Sequence, residues 1–142
     1  MTEISKKILL QIVTPVRSVV YEEVDAVELP GAEGYFGVLP GHTPFLSTLR
    51  VGEVKYRSEG QDKFLALSGG FAEILPDKVT VLADLAEKPE DVDVKAAQEA
   101  RKEAATSLQA PDPDFVEHLA ELELAQARLG VTSKTGIHTS SE

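Results

Sequence analysis

The chain has 142 residues, enough for one ordinary domain or a compact domain with an appendage, and its 42% of hydrophobic residues can bury a real but small core. It contains no cysteine, which excludes disulfide scaffolds and thiolate sites, and its formal net charge of -10 argues against nucleic acid as a partner. No apolar run approaches the roughly 20 residues of a membrane span, so we expect a protein of the soluble cell interior.

Short strands fill the first part of the chain. Apolar runs are separated by turn signals, and no helical pattern intervenes. Gly60 marks the turn of one predicted hairpin, and Pro76-Asp77 marks the turn of another. This spacing favours an antiparallel β-sandwich or barrel. The predicted strands cover residues 7–13, 17–22, 24–29, 51–57, 63–68, 71–75 and 78–83.

A helical pattern replaces the strands after residues 87–91. Asp91 or Asp93 is predicted to cap a first helix, which is rich in alanine. This helix stops before Pro111, because proline cannot continue a helix and restricts the residue before it.

A second helix is predicted after the prolines. It carries an apolar stripe from Phe115 to Leu129 and ends at Gly130, a residue typical of a helix C-cap. The fold class is therefore α+β, an N-terminal antiparallel β-sandwich followed by a C-terminal antiparallel two-helix hairpin. We expect a β head over residues 1–86, a helical arm over 87–131 and a disordered polar tail over 132–142.

The seam between the two predicted helices is weak. The first helix contributes mainly alanines, and at roughly 0.8 kcal/mol per buried methylene-sized group such a contact yields only a few kcal/mol. Moving a two-state element from one dominant arrangement to the other takes about 5.5 kcal/mol. A partner could therefore unpack this hairpin; a hairpin that stays docked and stabilises the domain is the alternative.

Charge is unevenly distributed along the helical segment. No Lys or Arg occurs between Lys102 and Arg128, whereas this interval is rich in carboxylates. Such a run is either a solvated face or a surface that favours a basic protein partner. The acidic residues are Glu103, Asp112, Asp114, Glu117, Glu121 and Glu123.

The sequence offers few groups for catalysis. Its histidines, His42, His118 and His138, have no His-x-His or His-x-x-x-His spacing, so a zinc site lacks ligands. Ser68 precedes two glycines, but the Gly-x-Ser-x-Gly turn of a nucleophile is absent and no triad partner supports it. We therefore expect a protein without a catalytic residue, cofactor or metal.

The most unusual stretch is the glycine-rich segment 31–45, GAEGYFGVLPGHTPF. It lacks the Gly-Lys-Ser/Thr of a P-loop, and its glycines lie within a strand region rather than before a helix. Glycine permits positive φ and close approach, while Pro40 and Pro44 fix a corner around Gly41 and His42. His42 is then either a structural residue bonded to the backbone or part of a surface that contacts a partner.

Three segments carry recognisable motifs in a fixed order. They are residues 30–44, PGAEGYFGVLPGHTP, residues 67–73, LSGGFAE, and residues 79–84, VTVLAD. Together they resemble the epsilon subunit of the bacterial F-type ATP synthase, and the resemblance extends to Leu129. It implies a β-sandwich head of about ten strands and a two-helix arm.

The resemblance also implies a function. Such a subunit is a non-catalytic part of the rotor of a proton-translocating synthase, and it couples rotation of the c-subunit ring to ATP synthesis through the gamma subunit. The implied partners are gamma, the c ring and, through an arm that can rise beside gamma and inhibit ATP hydrolysis, the alpha and beta catalytic subunits. The implied place is peripheral, on the cytoplasmic face of the bacterial membrane. An initiator Met without an Arg- and Ser-rich leader agrees with a bacterial chain.

Partner-contact residues follow from the same resemblance, in a loop that faces the c ring and in a corner beside that loop. They are Glu33, Gly34 and Tyr35 of the loop and Pro40, Gly41 and His42 of the corner.

One departure from the family pattern concerns ATP. Nucleotide-binding members carry an Ile/Leu-Asp-x-x-Arg-Ala motif in the arm, and here Asp93 is kept while Ala96 replaces the arginine. Glu103 and Leu124 stand where those members have further arginines, which leaves Asp93 and Arg128 as a degenerate nucleotide site. Without cations to compensate a triphosphate, we expect weak or absent ATP binding.

A second departure is the acidic second helix, which offers only Arg128 as a basic residue. In the family the raised arm meets acidic loops of the catalytic subunits partly through basic residues, so like charges oppose docking here and we expect weak inhibition of ATP hydrolysis.

Two alternatives lie outside the family. One is a β-sandwich module for a small ligand, for which the chain has no tryptophan platform, and the other is an enzyme of unrecognised type.

Overall fold

The computed structural model describes residues 6–109 and 111–135 of the chain. In this part of the chain ten strands come first, a short 3-10 helix at Pro89–Asp91 follows, and two α-helices come last. The helices are α1, Val94–Ser107, and α2, Phe115–Lys134. The strands are β1 Ile8–Val13, β2 Ser18–Val24, β3 Ala26–Gly31, β4 Gly34–Val38, β5 Phe45–Leu49, β6 Gly52–Ser58, β7 Gln61–Leu67, β8 Gly70–Leu75, β9 Lys78–Leu82 and β10 Ala86–Glu87.

The strands form a β-sandwich, which confirms the predicted fold class. One layer has the order β2-β1-β9-β8-β5, and the other has the order β10-β7-β6-β3 with β4 also paired to β3. The layers join where Gly31 of β3 pairs with Leu49 of β5. Pairing is antiparallel as predicted, except that β1 runs parallel to β9. A parallel pair needs a long connection, and the chain between β1 and β9 provides it.

A single apolar core explains the strand patterns. In β1, Ile8, Leu10 and Ile12 are fully buried and alternate with half-buried side chains. This period of two is that of a strand with one face on the core. Ile74 of β8 and Val81 of β9 enter the same core.

Both predicted hairpin turns are confirmed. Glu59 and Gly60 connect β6 to β7 with φ of 53° and 78°, the two-residue geometry that matches the twist of paired strands. Pro76 and Asp77 connect β8 to β9.

The Ser-Gly-Gly motif has a structural role. Gly70 has φ of 145°, and a Cβ at this position would lie 2.0 Å from the carbonyl oxygen of Leu82, so no larger residue fits. The Ser68 hydroxyl accepts a hydrogen bond from the Leu85 amide at 3.0 Å, and the Ser68 amide donates to the Leu85 carbonyl at 3.0 Å. The motif therefore ties the β7–β8 connection to the segment that follows β9.

Three strands, β4, β5 and β10, lie where the sequence predicts none. Glycines interrupt the pattern of β4, prolines precede β5, and β10 has only two residues. β4 pairs with β3 along its whole length. The glycine-rich segment is therefore a hairpin and a strand rather than one loop.

Helix α1 begins at Val94, and Asp93, one of the two predicted caps, is its N-cap. The Asp93 carboxylate accepts a hydrogen bond from the Ala96 amide at 3.0 Å, which satisfies an amide that has no partner within the helix. Asp91 lies instead in the 3-10 helix. Ala97 and Ala104 are the buried residues of α1, as its alanine spacing predicts.

The predicted end of α2 at Gly130 is wrong. The helix continues to Lys134, and Thr132 is fully buried, so the predicted polar tail begins later than residue 132. Gly130 lies where α2 passes close to β6, because a Cβ there would lie 2.4 Å from Oε2 of Glu53. Gly130 is therefore an interior residue of α2 beside the carboxylate of Glu53, rather than the end of the helix. Residues 136–142 of the predicted tail lie outside the described residues.

Candidate functional site

The first half of the glycine-rich segment is the tip of the β3–β4 hairpin. Ala32 and Glu33 form the turn and are exposed, and Gly34 begins β4. Tyr35 is half exposed, and its hydroxyl accepts a hydrogen bond from the Glu53 amide at 3.1 Å. The tip is therefore a small projection that is fixed to the start of β6.

The second half of this segment lies at the other end of the sandwich. The Gly41 amide donates to the Pro76 carbonyl at 2.7 Å, so the corner at residues 40–42 sits beside the β8–β9 turn. The hairpin tip instead adjoins the end of β5, where Gly31 pairs with Leu49. The expectation that the corner lies beside the loop is wrong, because β4 is an extended strand that spans about 13 Å between them.

His42 is held within its own corner. Its Nδ1 lies 2.6 Å from the carbonyl oxygen of Thr43, and its ring centroid lies 6.4 Å from that of Phe45 in a tilted arrangement. Pro40 is half-buried beside it, and Gly41 is exposed. Of the two interpretations of His42, these contacts favour the residue bonded to the backbone.

The outer face of the first layer carries large apolar side chains in contact with solvent. The strand register places Leu46 and Tyr21 in one row of outward residues, and Phe71 and Leu82 in the next row. The exposed fractions are 76% for Leu46, 64% for Phe71 and 54% for Leu82. Tyr21 is separated from Leu46 by Glu73, Thr80 and Gln11 on the strands between them, whereas Leu46, Phe71 and Leu82 line one groove. We call Leu46, Phe71 and Leu82 the bare face. Contiguous apolar surface of this kind marks interaction sites on soluble proteins.

A groove gives the bare face its shape. Its volume is about 510 Å³, and its lining includes Leu46, Phe71, Glu73 and Leu82. Glu73 is an acidic residue among apolar ones, so the face offers an apolar centre with a polar contact, as protein interfaces do.

The bare face was not predicted from the sequence, although the sequence of β8 contains a signal for it. In β8 the buried positions are Ala72 and Ile74, so Phe71 falls in register with the polar Glu73. A large apolar residue at an outward strand position is this signal, and it becomes clear only when the register with β5 and β9 is known.

The arm covers the outer face of the second layer over β6 and β7. Ala127 and Val131 of α2 form a buried cluster with Ala66 of β7, and Phe64 and Val92 pack against this cluster. The cluster has three buried residues, whereas the core of the head has 20 among the described residues. The contact between arm and head is therefore small.

Two ion pairs border this contact. Arg128 Nε contacts the Glu87 carboxylate, and Lys134 Nζ lies 2.6 Å from Oε1 of Glu53. Lys134 Nζ also lies 5.6 Å from the ring centroid of Phe64. The second helix thus carries two basic residues rather than the single Arg128 expected from the sequence, and both engage the head.

The residues of the degenerate nucleotide site have separate partners. Asp93 caps α1 through the Ala96 amide, and Arg128 pairs with Glu87. Both charged side chains are therefore engaged in contacts that hold the arm.

Within residues 6–109 and 111–135, no group of three or more His, Cys, Asp or Glu side chains is arranged to hold a metal ion. None of the helices in these ranges is long and apolar enough to cross a membrane.

Comparison with known proteins places the chain in a family. Residues 7–89 match the family described as ATP synthase, Delta/Epsilon chain, beta-sandwich domain. The chain is 50% identical over 104 residues to the ATP synthase epsilon chain of Koribacter versatilis, over 73% of each chain. It is 47% identical over 133 residues to that of Syntrophobacter fumaroxidans, over 92% of this chain and 99% of the relative.

Solved structures give the same result. A chain of the Euglena gracilis mitochondrial ATP synthase, OSCP/F1/c-ring in rotational state 1, matches with a TM-score of 0.79 and 25% identity over 96% of this chain and 85% of that chain. A chain in the central stalk/c-ring structure of the Tetrahymena thermophila mitochondrial ATP synthase shares the fold, with a TM-score of 0.60 and 13% identity over 94% of this chain and 98% of that chain.

The matched family model covers the whole head, and the curated relatives extend through the arm. The chain therefore belongs to the family of ATP synthase epsilon chains.

Proposed function

We propose that this chain is a central-stalk subunit of a proton-translocating F-type ATP synthase, which transmits rotation of the c ring to the catalytic subunits without catalysis of its own. The bare face is the single observation that carries the proposal. The arm of the same chain covers one outer face of the sandwich, and the opposite face exposes Leu46, Phe71 and Leu82. A rigid sandwich with one apolar face suits a subunit that must dock firmly and transmit torque.

The gamma subunit is the partner that we assign to the bare face. A shaft subunit requires a permanent contact, and permanent contacts are apolar at their centre. The bare face and its groove meet this requirement, and Glu73 provides an acidic contact within the groove.

The c ring is the partner that we assign to the hairpin tip, at Glu33, Gly34 and Tyr35. The tip projects from the end of the sandwich, and the hydrogen bond from the Glu53 amide fixes the Tyr35 side chain against β6. The corner at Pro40, Gly41 and His42 lies at the other end of β4, so we assign it a structural role that supports the β8–β9 turn.

The arm is the element through which we expect contact with the alpha and beta subunits. The cations of its second helix, Arg128 and Lys134, are paired with the head in the docked arrangement, and the interval between Lys102 and Arg128 carries carboxylates but no Lys or Arg. Like charges would oppose docking against acidic loops, so inhibition of ATP hydrolysis through this arm is weak. The subunit is peripheral, and we place it on the cytoplasmic face of the bacterial membrane.

The test is a titration of the chain into the catalytic head of its own synthase from which this subunit has been removed, with complex formation and ATPase rate followed together. We expect tight binding with little change in ATPase rate. Failure of properly folded components to bind would contradict the central-stalk assignment. Tight binding with a strongly reduced rate would contradict weak inhibition by the arm.

A pair of variants locates the contact. Leu46→Asp should weaken binding at least about tenfold, because a charge enters the apolar centre of the interface. Leu39→Asp is the matched control, since Leu39 is 65% exposed beside the corner, to which no partner is assigned, and Leu46 is 76% exposed on the bare face. Equal binding by the two variants would remove the bare face from the interface.

A further inference from the structure

The turn between α1 and α2 contains a group of polar contacts that the proposed assembly does not use. The Asp112 carboxylate accepts a hydrogen bond from the Asp114 amide at 2.9 Å and contacts Nδ1 of His118. The Asp112 carbonyl accepts a hydrogen bond from the Phe115 amide at 3.2 Å. Asp112 therefore holds the first turn of α2 through both its side chain and its backbone.

No ordinary cap performs this task. Asp114 occupies the N-cap position of α2 and makes no side-chain hydrogen bond to the helix. The amides at the start of a helix need acceptors, and a helix without a side-chain cap is prone to fraying there. The start of α2 therefore depends on Asp112, and His118, the fourth residue of the helix, contacts the Asp112 carboxylate.

The groups around Asp112 and His118 give the turn little other support. The side chains of His118 and Asp112 are 28% and 13% exposed, so water reaches the pair only partly. The neighbouring end of α1 brings uncharged residues to the turn, from Thr106 to Gln109. The buried residues of α1 are the alanines Ala97 and Ala104, which give a shallow contact between the helices.

The charges acting on His118 are all negative. The hydrogen bond to Asp112 raises the pKa of His118 above its ordinary value of 6.5, although partial burial opposes the rise, and the carboxylates of Asp112, Glu121 and Asp114 add to it. The bond from the Asp114 amide and then that from His118 lower the pKa of Asp112. These groups belong to the turn and to α2, where Glu117 adds a fifth titratable group.

The direction of the pH dependence follows from this arrangement. Because the folded hairpin binds the His118 proton more tightly than the unfolded chain does, the resulting stabilisation is complete below pH 6.5 and is lost as pH rises through the raised pKa. Above that pKa the carboxylates around the turn lose the cation between them, and their mutual repulsion opposes the turn.

We propose that Asp112 and His118 form a pH-responsive staple, which fixes the turn of the helical hairpin when His118 is protonated and loosens the start of α2 when His118 is neutral. The acceptors on Asp112, the missing side-chain cap at Asp114 and the alanine contact between the helices support this role. The staple is a property of the free chain and does not depend on the partner assigned to either face of the head.

The test is an NMR titration of the full chain from about pH 6 to about pH 8.5, a range that spans histidine titration. The His118 ring signal reports its protonation, and the heteronuclear NOE of the amides at residues 115–119 reports the order of the helix start. The wild type should titrate at higher pH than the Asp112→Asn variant. As pH rises through the His118 titration midpoint, the wild-type NOE values should fall until they equal those of the Asp112→Asn variant.

Asp114→Asn is the matched control, because it removes a neighbouring carboxylate that makes no cap bond. This variant should keep the pH-dependent step in the NOE values, whereas His118→Gln should abolish the step. If wild type and Asp112→Asn titrate alike, or if the wild-type NOE values do not change through the midpoint, the staple is refuted. His118→Gln provides the decisive comparison if the Asp112 variant does not fold.

Discussion

The two outer faces of the sandwich differ in what covers them. On the β6–β7 side, α2 of the same chain lies over Ala66 and Phe64, with an ion pair from Arg128 and another from Lys134 at its border. On the opposite side, the bare face meets solvent. A chain that covers one face with its own arm and leaves an apolar surface on the other is organised to assemble with a second protein through that surface.

The difference also separates a rigid unit from a unit of lower stability. The head core has 20 buried apolar residues, whereas the arm contact has Ala66, Ala127 and Val131. Elements with few buried apolar contacts open at lower free energy than the core does. The arm should therefore leave the head without unfolding it, and the bare face should keep its shape when this happens.

The largest effect is expected from damage to the head that supports the bare face. Gly70→Ala would place a Cβ 2.0 Å from the Leu82 carbonyl oxygen at a backbone φ of 145°. We expect a loss of more than about 4 kcal/mol in the free energy of unfolding, measured by urea denaturation. Gly37→Ala is the control, since a Cβ at Gly37 meets nothing within 4 Å. Equal stability of the two variants would show that the core does not constrain the β8 backbone.

A smaller effect is expected from the arm contact. Val131→Ala removes two buried methyl groups from the cluster under α2 and should cost about 2 kcal/mol. Amide exchange should accelerate in α2 and stay unchanged in β1 and β8. Val116→Ala is the exposed control. A uniform increase in exchange across head and arm would mean that the arm and the head unfold as one unit.

The smallest effect is expected from the ion pair between Arg128 and Glu87. Arg128→Gln should reduce the stability of the docked arm by about 1 kcal/mol or less, because the pair is partly exposed. The loss should shrink as salt concentration rises, since salt screens the pair in the wild type. Hydrogen exchange of the α2 amides in wild type and variant, at low and at high salt, measures this loss of stability. A loss that is independent of salt would assign the contribution of Arg128 to packing.

The sequence was sufficient for features that depend on local patterns. The strand at residues 7–13, the turn at Gly60 and a helix capped at Asp93, one of two predicted caps, each follow from adjacent residues, and each is confirmed. Gly130 failed as a helix end because Val131 beyond it packs against Ala66 of β7, a residue remote in sequence, and α2 continues to Lys134.

The candidate site depended more on tertiary structure. The tip at Glu33 and the corner at Gly41 are neighbours in sequence, and the extended β4 separates them. The bare face combines Leu46, Phe71 and Leu82 from three strands, so only the register reveals that they are adjacent. Exposure of these side chains could not be read from the composition of any one strand.

The most direct test of the account is the reactivity of single cysteines, since the chain has no cysteine of its own. Leu46→Cys places a thiol on the bare face, and Glu28→Cys places one at an exposed position on β3 of the other layer. Maleimide labelling rates are measured for the free chain and for the assembled synthase. We expect assembly to slow labelling at position 46 at least about tenfold and to leave labelling at position 28 unchanged. Equal labelling of position 46 in the free and assembled states would contradict the assignment of the bare face to an interface.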